Sequence, residues 1–476
     1  MSRRIIVVGG GIAGLAAAHR LLELSQENNF GLEILLLEAG PRLGGSIHTE
    51  RVGAFLVEAG PDSFISEKPW ALQLCERLGL GSRLVSTNST RQTVFVVHNG
   101  RLEPLPEGFL LMAPTRLWPL VTTPLFSWRG KLRMAAEFFL PRGGVGTDES
   151  LAAFVRRRFG REALERVVQP LIGGIYAADP EKLSLAATMP RFLEMERTGR
   201  SVTWAMWRAQ RRRALGRRRE SGARWSLFLS LAGGMQELVD AIVRRLPNDS
   251  VHLDAHVIGL TWNNAKKNWI AATRSGELEA DGVILATPAY SAAAILSSVA
   301  PPLAQELREI SYGSTATVNL AYRENEIPRS LGFGLIAPAI ESRKILACTF
   351  SSIKYPGRAP EGSVLLRAFV GGVLQPHLFE HDDRTMEADV RHELAALLGI
   401  TAEPLFCRIH RHPRSMPQYH VGHLEKVERI EAHLKKLPGL ELAGNAYRGV
   451  GIADCVHSGE AAAENLLRAL EDGEAA

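Results

Sequence analysis

The sequence predicts an α/β fold, with a parallel sheet assembled from discontinuous segments, an α+β unit beside it and a mainly helical insertion. Three observations predict it. The chain opens on a strand, a glycine turn and a helix in immediate succession. Strand-like runs suited to the same sheet recur far downstream, and residues 100–201 between them read as mainly helical. At 476 residues and 46% hydrophobic content, the chain is long enough for two or three cores, because a single core stops growing near about 250–300 residues.

The first strand is the apolar run Ile5-Ile6-Val7-Val8, which leads into Gly9-Gly10-Gly11-Ile12-Ala13-Gly14 and the helical stretch Leu15 to Leu24. In this G-x-G-x-x-G turn Gly9 allows the tight bend, Gly11 admits a pyrophosphate close to the backbone, and Gly14 lets helix and strand pack closely. Ile12 and Ala13 begin the helix whose N-terminus takes the phosphates. A second apolar run, Leu32 to Leu37, ends in Glu38, whose carboxylate is placed to accept hydrogen bonds from ribose hydroxyls. Strand, turn, helix, strand and acid in this order imply a bound dinucleotide. The next segment, Ala39-Gly40-Pro41-Arg42-Leu43-Gly44-Gly45-Ser46, gives Arg42 as a positive fork for an anionic cofactor and Gly44 and Gly45 as points of close backbone approach. Its other reading is a capped turn with a surface arginine.

With its E-x-x-x-R-x-G-G pattern, Glu38 to Gly45 resembles the amine oxidase-like flavoprotein superfamily, which implies FAD as the cofactor and a Rossmann-like domain of the GR2 type. Later segments fit that resemblance. Leu231 to Leu238 is a glycine turn into a helix, and Val251 to Leu260 alternates like a strand. Gly282 to Pro288 ends in A-T-P and includes Ala286. The resemblance places the backbone of Val257 against the adenine. At the C-terminal end, Leu440 to Ala463 reads as a strand stopping at Gly444, a glycine-rich loop, and a small-residue helix from near Ile452. The N–H groups of Val450, Gly451 and Ile452 suit the electron-rich end of a reduced flavin. An ordinary strand-loop-helix connection is the alternative.

Motifs spread over nearly the whole chain resemble one family, the oxygen-dependent, FAD-containing protoporphyrinogen oxidases. They are Gly60-Pro61-Asp62-Ser63, Gly174 to Pro180 with Leu183-Ser184, Leu331 to Gly334, Phe350-Ser351-Ser352, Phe369 to Gly372, Pro417-Gln418-Tyr419 with Gly422-His423, and Gly444 to Cys455. This resemblance implies six-electron oxidation of protoporphyrinogen IX to protoporphyrin IX in haem biosynthesis. One flavin takes hydride from the substrate three times, and oxygen is reduced to hydrogen peroxide. No side-chain nucleophile, metal or acid-base pair is required, and placement and a water-poor cavity remain for the protein to supply. It further implies that Gly60, Pro61, Asp62 and Ser63 lie beside the flavin ring with His412 near it. Gly174, Ile336, Thr349 and Phe369 would then line the macrocycle.

Three positions depart from the family. Val94 stands where plant and animal members carry an arginine for a substrate propionate, leaving Arg91 as the candidate anchor. Ala178 replaces a glycine, and His412 a tryptophan. Coproporphyrinogen III oxidation is the first alternative; a flavin amine oxidase and a non-catalytic tetrapyrrole carrier are the others.

The expected domains are an FAD-binding one of residues 1–85, 225–300 and 420–476, a substrate-binding one of 86–99 and 301–419, and a helical one of 100–224. No run of about 18 uncharged apolar residues occurs, and the immediate first strand leaves no room for a signal peptide. Cys75, Cys348, Cys407 and Cys455 are widely spaced and suit a reducing compartment. The net charge of +5 includes a run at Arg208, Arg211, Arg212, Arg213, Arg217, Arg218 and Arg219 beside Trp204 and Trp207. A solvated face and a phospholipid surface are its two readings; a nucleic-acid partner is not expected, because no nucleic-acid fold accompanies the run. Leu110 to Leu140 adds Trp118, Trp128, Phe138 and Phe139 among Arg116, Arg129, Lys131 and Arg133, a membrane-facing segment or a lid. The expected location is cytoplasmic, at the inner face of the cell membrane. Expected partners are oxygen, a second copy in a homodimer, and a ferrochelatase receiving the product. The polar tail Glu471 to Ala476 is expected to fray.

Overall fold

The opening strand forms where four consecutive apolar residues can be buried on both faces, and Ile5 to Val8 lie at the centre of a five-stranded parallel sheet. Its strand order is Val251–His252, Leu32–Leu37, Arg3–Val8, Gly282–Leu285 and Leu440–Leu442, so sequence segments more than 400 residues apart, from Arg3 to Leu440, share one sheet. The structure is a computed structural model and describes residues 3–106, 108–110, 113–114, 117–143, 148–216, 227–328 and 331–475. Arg116, Arg217, Arg218 and Arg219 lie outside the described residues, as do the side chains of Arg212 and Arg213.

Small residues set the helix packing on this sheet. The helix Ile12–Glu27 buries a nearly continuous run from Ile12 to His19, and the C-terminal helix Ile452–Ala475 lies against it. At Gly459 a Cβ would stand 2.1 Å from the Ala13 carbonyl oxygen, so the two backbones touch there. The polar tail continues this helix through Ala475 where fraying was expected; Glu471, Glu474 and Ala475 are good helix formers.

The alternating run Val251 to Leu260 does not form one strand. Val251–His252 joins the parallel sheet, and Val257–Asn263 begins a separate three-stranded meander with Asn268–Thr273 and Gly276–Ala280. The break has a physical cause. Asp254 adopts φ 54°, and the N–H groups of Asp254 and Ala255 donate to the carbonyls of Gly40 and Glu38, at 3.1 and 2.9 Å. The chain turns to close around the acid-bearing loop before it changes sheet.

A seven-stranded sheet forms the second layer, in the order Phe406–Pro417, Tyr312–Arg323, Ser363–Gly371, Ala347–Thr349, Gly334–Ile336, Val94–His98 and Arg101–Pro104. It is antiparallel except where Gly334–Ile336 runs parallel to Val94–His98. Helices between Leu117 and Gly216 build a further core around Phe154, Phe159, Val167 and Phe192, which reaches the sheet at Val96, Ile336 and Ala347.

Candidate functional site

The glycine turn is built as steric demand requires. Gly9 has φ 106°, and a Cβ there would come 2.6 Å from the Ala286 carbonyl oxygen; one on Gly14 would come 1.9 Å from the Gly9 carbonyl oxygen. Gly11 differs, for nothing lies within 4 Å of where its Cβ would be. It is also the N-cap of the first helix, which has neither a side-chain cap nor an acid in its first turn. The first turn therefore has no side-chain or acidic partner of its own and the helix dipole behind it, which fits a pyrophosphate beside Gly11.

Glu38 is held between two backbone donors, Gly10 N–H at 2.6 Å and Gly40 N–H at 2.7 Å. Arg42 donates to the carbonyls of Leu43, Gly45 and Ile47, at 3.3, 2.5 and 3.1 Å, so its guanidinium braces the loop that carries Gly44 and Gly45. Gly44 N–H bonds Gly10 O at 2.8 Å, and a Cβ on Gly45 would stand 3.2 Å from the Gly11 Cα. The glycine surface continues to Gly60, where a Cβ would come 1.9 Å from Ser46 O. Val257 is buried at the start of the meander, and exposed Ala39 follows Glu38 on the same loop.

At the other end, Gly444 donates its N–H to Ser458 Oγ at 3.0 Å, and Val450, Gly451 and Ile452 lead into the C-terminal helix. Tyr419 pins this loop twice, donating to Asn445 O at 2.6 Å and accepting from Gly449 N–H at 2.8 Å. His423 stacks on Tyr419 at 3.9 Å and has Nε2 2.8 Å from Tyr447 O. Burial pushes the His423 imidazole down to about 4, so the ring is neutral at pH 7 and donates to that carbonyl.

Between these ends stands one face of the seven-stranded sheet, read directly from strand register. One row across it is Val96, Ile336, Ala347, Phe369, Thr317 and His410; the next is Val94, Gly334, Thr349, Arg367, Asn319 and Arg408. One end of both rows is apolar or small, and the other is polar and charged. The apolar end belongs to the helical core, against which Tyr176 and Val450 also pack, and a Cβ on Gly174 would stand 3.9 Å from the Ala347 Cβ. Three of the sequence-derived residues, Gly174, Ile336 and Phe369, thus meet, with Thr349 beside them in the second row. Arg91 is exposed on the loop before Val94–His98.

The charged end carries residues that the motif reading missed. Arg367 pairs with Asp62 at 2.9 Å and donates to Gly60 O at 2.7 Å; Lys354 Nζ reaches the same carboxylate at 3.1 and 3.3 Å. Burial alone would raise the Asp62 carboxyl, but Lys354 and Arg367 hold it well below the usual range. Ser63 Oγ donates to Asp62 at 2.7 Å. His412 Nε2 lies 2.9 Å from Ala59 O, and Thr317 Oγ1 donates to that carbonyl at 2.7 Å. The turn Gly60-Pro61-Asp62-Ser63 is therefore tied to the sheet face by ionic and hydrogen bonds. Its signal in the sequence was Arg367 itself, two residues before Phe369 and so on its face of an otherwise apolar strand.

Known proteins share this architecture. A family described as flavin containing amine oxidoreductase matches residues 12–467. The chain is 36% identical to the coproporphyrinogen III oxidase of Bacillus subtilis (strain 168), over 98% of both chains. It is 32% identical to the protoporphyrinogen oxidase of Homo sapiens, over 98% of this chain and 99% of that one. A crystal structure from Exiguobacterium sp. 255-15, provisionally named a protoporphyrinogen oxidase, superposes with a TM-score of 0.85 at 32% identity, over 99% of each chain.

Proposed function

Because the chain belongs to the family of flavin containing amine oxidoreductases and binds FAD, we propose that it oxidises a porphyrinogen, with coproporphyrinogen III the substrate and protoporphyrinogen IX the alternative. The observation that carries the reading is the two-row sheet face, whose apolar end shares a core with Val450 of the loop that precedes the C-terminal helix. A flat macrocycle needs such a wall, and Phe369, Ile336 and Ala347 supply it. This substrate order reverses that of the motifs alone. It is supported by the Bacillus relative and by the polar Thr349 facing Gly334 and Arg367.

Bound FAD supplies a hydride acceptor and passes the electrons on to oxygen. We assign the pyrophosphate to Gly9, Gly11, Ile12, Ala13 and Gly14, the ribose to Glu38, and the adenine side to Ala39, Val257 and Ala286. Arg42 sets the loop on which Gly44 and Gly45 approach the cofactor. Gly60, Pro61, Asp62, Ser63 and His412 flank the flavin ring on one side, and Gly444, Val450, Gly451 and Ile452 on the other. The sheet face and Gly174 orient the macrocycle and exclude water, which is the contribution this chemistry asks of the protein. The test is oxygen uptake and porphyrin fluorescence from the purified holoprotein with each porphyrinogen. Three oxygen molecules consumed per coproporphyrin formed is the expected result; no porphyrin from either substrate rejects the proposal.

We also propose that the helical segment rests on an anionic phospholipid surface. Trp118, Trp128, Leu132 and Phe139 are 76, 69, 70 and 80% exposed, and Lys131 stands 4.8 Å from the centre of the Trp128 ring. Arg208 and Arg211 lie 5.1 and 4.0 Å from the rings of Trp204 and Trp207. Amphipathic rings capped by cations suit a bilayer interface. No helix among the described residues is long and apolar enough to cross a membrane. Flotation with phosphatidylglycerol vesicles should be lost when Trp118, Trp128 and Phe139 are replaced by Ser; unchanged flotation refutes it.

A further inference from the structure

Charge gathers where the helical layer meets the loop before the C-terminal helix. On one side, Glu67 and Lys68 precede the helix Pro69–Arg77. On the other, Tyr176 ends the helix Gln169–Tyr176 and Arg191 lies in the first turn of Pro190–Gly199. Gly174, beside Ala347 of the proposed macrocycle wall, is exposed, and its neighbour Ile175 is 45% exposed. Each side carries one cation, and the two are held very differently.

Lys68 is engaged by both oxygens of Asp454, at 2.6 and 2.8 Å, and Asp454 in turn lies against Gly449 and Gly451. Removing Lys68 from this pair would leave a largely buried carboxylate. Arg191 reaches Glu67 through Nη1 at 3.5 Å, and the two side chains are 48 and 37% exposed. A pair of that length and exposure contributes only about 0–1 kcal/mol. The Arg191 guanidinium carbon also stands 5.2 Å from the ring of Phe192, a fully buried member of the helical core. The guanidinium thus rests on this ring, and its exposed edge can still meet a carboxylate in bidentate fashion. The Tyr176 hydroxyl feels the charge on both sides: burial raises it, Asp454 raises it further, and Arg191 lowers it.

We propose that Arg191 is a specificity-determining residue which exchanges Glu67 for a ring carboxylate of the porphyrinogen, favouring the macrocycle with four carboxylates over the one with two. The inference rests on the porphyrinogen reading above. A neutral apolar ring edge gives Arg191 no reason to leave Glu67, whereas a propionate offers two oxygens in the plane of the guanidinium.

The experiment compares wild-type holoprotein with Arg191→Gln, Arg191→Lys and Glu67→Gln. It measures KM and kcat with coproporphyrinogen III and protoporphyrinogen IX, and, independently of turnover, the Kd of coproporphyrin III from quenching of protein fluorescence. In Arg191→Gln both the KM for coproporphyrinogen and the Kd should rise about fivefold to tenfold, as expected for loss of a charge-assisted hydrogen-bonded pair. The effect should be carried by KM rather than kcat and be smaller for protoporphyrinogen. Arg191→Lys should recover part of it, and Glu67→Gln should move the Kd the opposite way by freeing the arginine. Unchanged KM and Kd in Arg191→Gln, with wild type active, overturn the inference and leave the porphyrinogen reading standing. An equal rise for both substrates overturns its role in choosing between them. A wild type that oxidises neither removes the reading and the inference together.

Discussion

Replacing Arg367 by Met removes the cation that ties the Gly60-Pro61-Asp62-Ser63 turn to the sheet while keeping most of its apolar stem. The side chain is 5% exposed, pairs with Asp62 at 2.9 Å, and donates to Gly60 O at 2.7 Å. Breaking a buried pair by removing one partner costs about 3–5 kcal/mol. Here Asp62 keeps Lys354 at 3.1 and 3.3 Å, which places that loss at the lower end. The Gly60 carbonyl loses its donor, worth about 1 kcal/mol. The two losses overlap, and the expected destabilisation is about 3–4 kcal/mol at pH 7. The pH dependence follows from Asp62, whose carboxyl is held below its usual range in the folded protein. The unfolded carboxyl is the same in both proteins. The part of the gap owed to Arg367 is present while Asp62 is ionised in both, and is lost as pH falls through the variant's higher folded value toward that of wild type. The gap between wild type and Arg367→Met should therefore shrink from pH 7 to pH 3. Urea unfolding followed by circular dichroism and by flavin release reads both quantities. A gap under about 1 kcal/mol at pH 7, or one that widens on acidification, refutes the reasoning.

Three further perturbations separate cofactor contact from protein packing. Gly11→Ala places a methyl in open space, so the protein should fold normally yet lose FAD affinity more than about tenfold in equilibrium dialysis. Gly14→Ala meets the Gly9 carbonyl at 1.9 Å and should lower the urea midpoint of the apoprotein as well. Tyr419→Phe removes the donor to Asn445 O and the acceptor for Gly449 N–H; a loss of about 2 kcal/mol and faster flavin release are expected. Burial, then the nearby Glu431, raises the Glu441 carboxyl to about 7. That stability is present at acid pH and lost as pH rises through 7, so Glu441→Gln should stabilise by about 2 kcal/mol at pH 8 and hardly at all at pH 4 in urea titrations.

Local rules made the nucleotide turn legible. A strand of four apolar residues, glycines at fixed spacing, and an acid after the second strand each act within a few residues of chain. Where distant partners decide, the sequence was silent. The alternation from Val251 to Leu260 gives no sign that Asp254 and Ala255 bond the carbonyls of Gly40 and Glu38 and so divide the run between two sheets. Motif spacing singled out Ile336, Phe369 and Gly174, yet their meeting depends on the parallel pairing of Gly334–Ile336 with Val94–His98 and on Ala347 between them. Arg42 read as a fork held out to the cofactor, while the loop's own carbonyls engage it. Arg367 was visible as a charge in an apolar strand, but its partner Asp62 lies 305 positions earlier and no spacing rule joins them.

Anaerobic mixing of the yellow holoprotein with coproporphyrinogen III and, separately, protoporphyrinogen IX tests the central claim most directly. Bleaching of the flavin's visible band by coproporphyrinogen, faster than by protoporphyrinogen, followed by porphyrin fluorescence when oxygen is admitted, is the predicted result. A flavin that stays yellow with both porphyrinogens would contradict it.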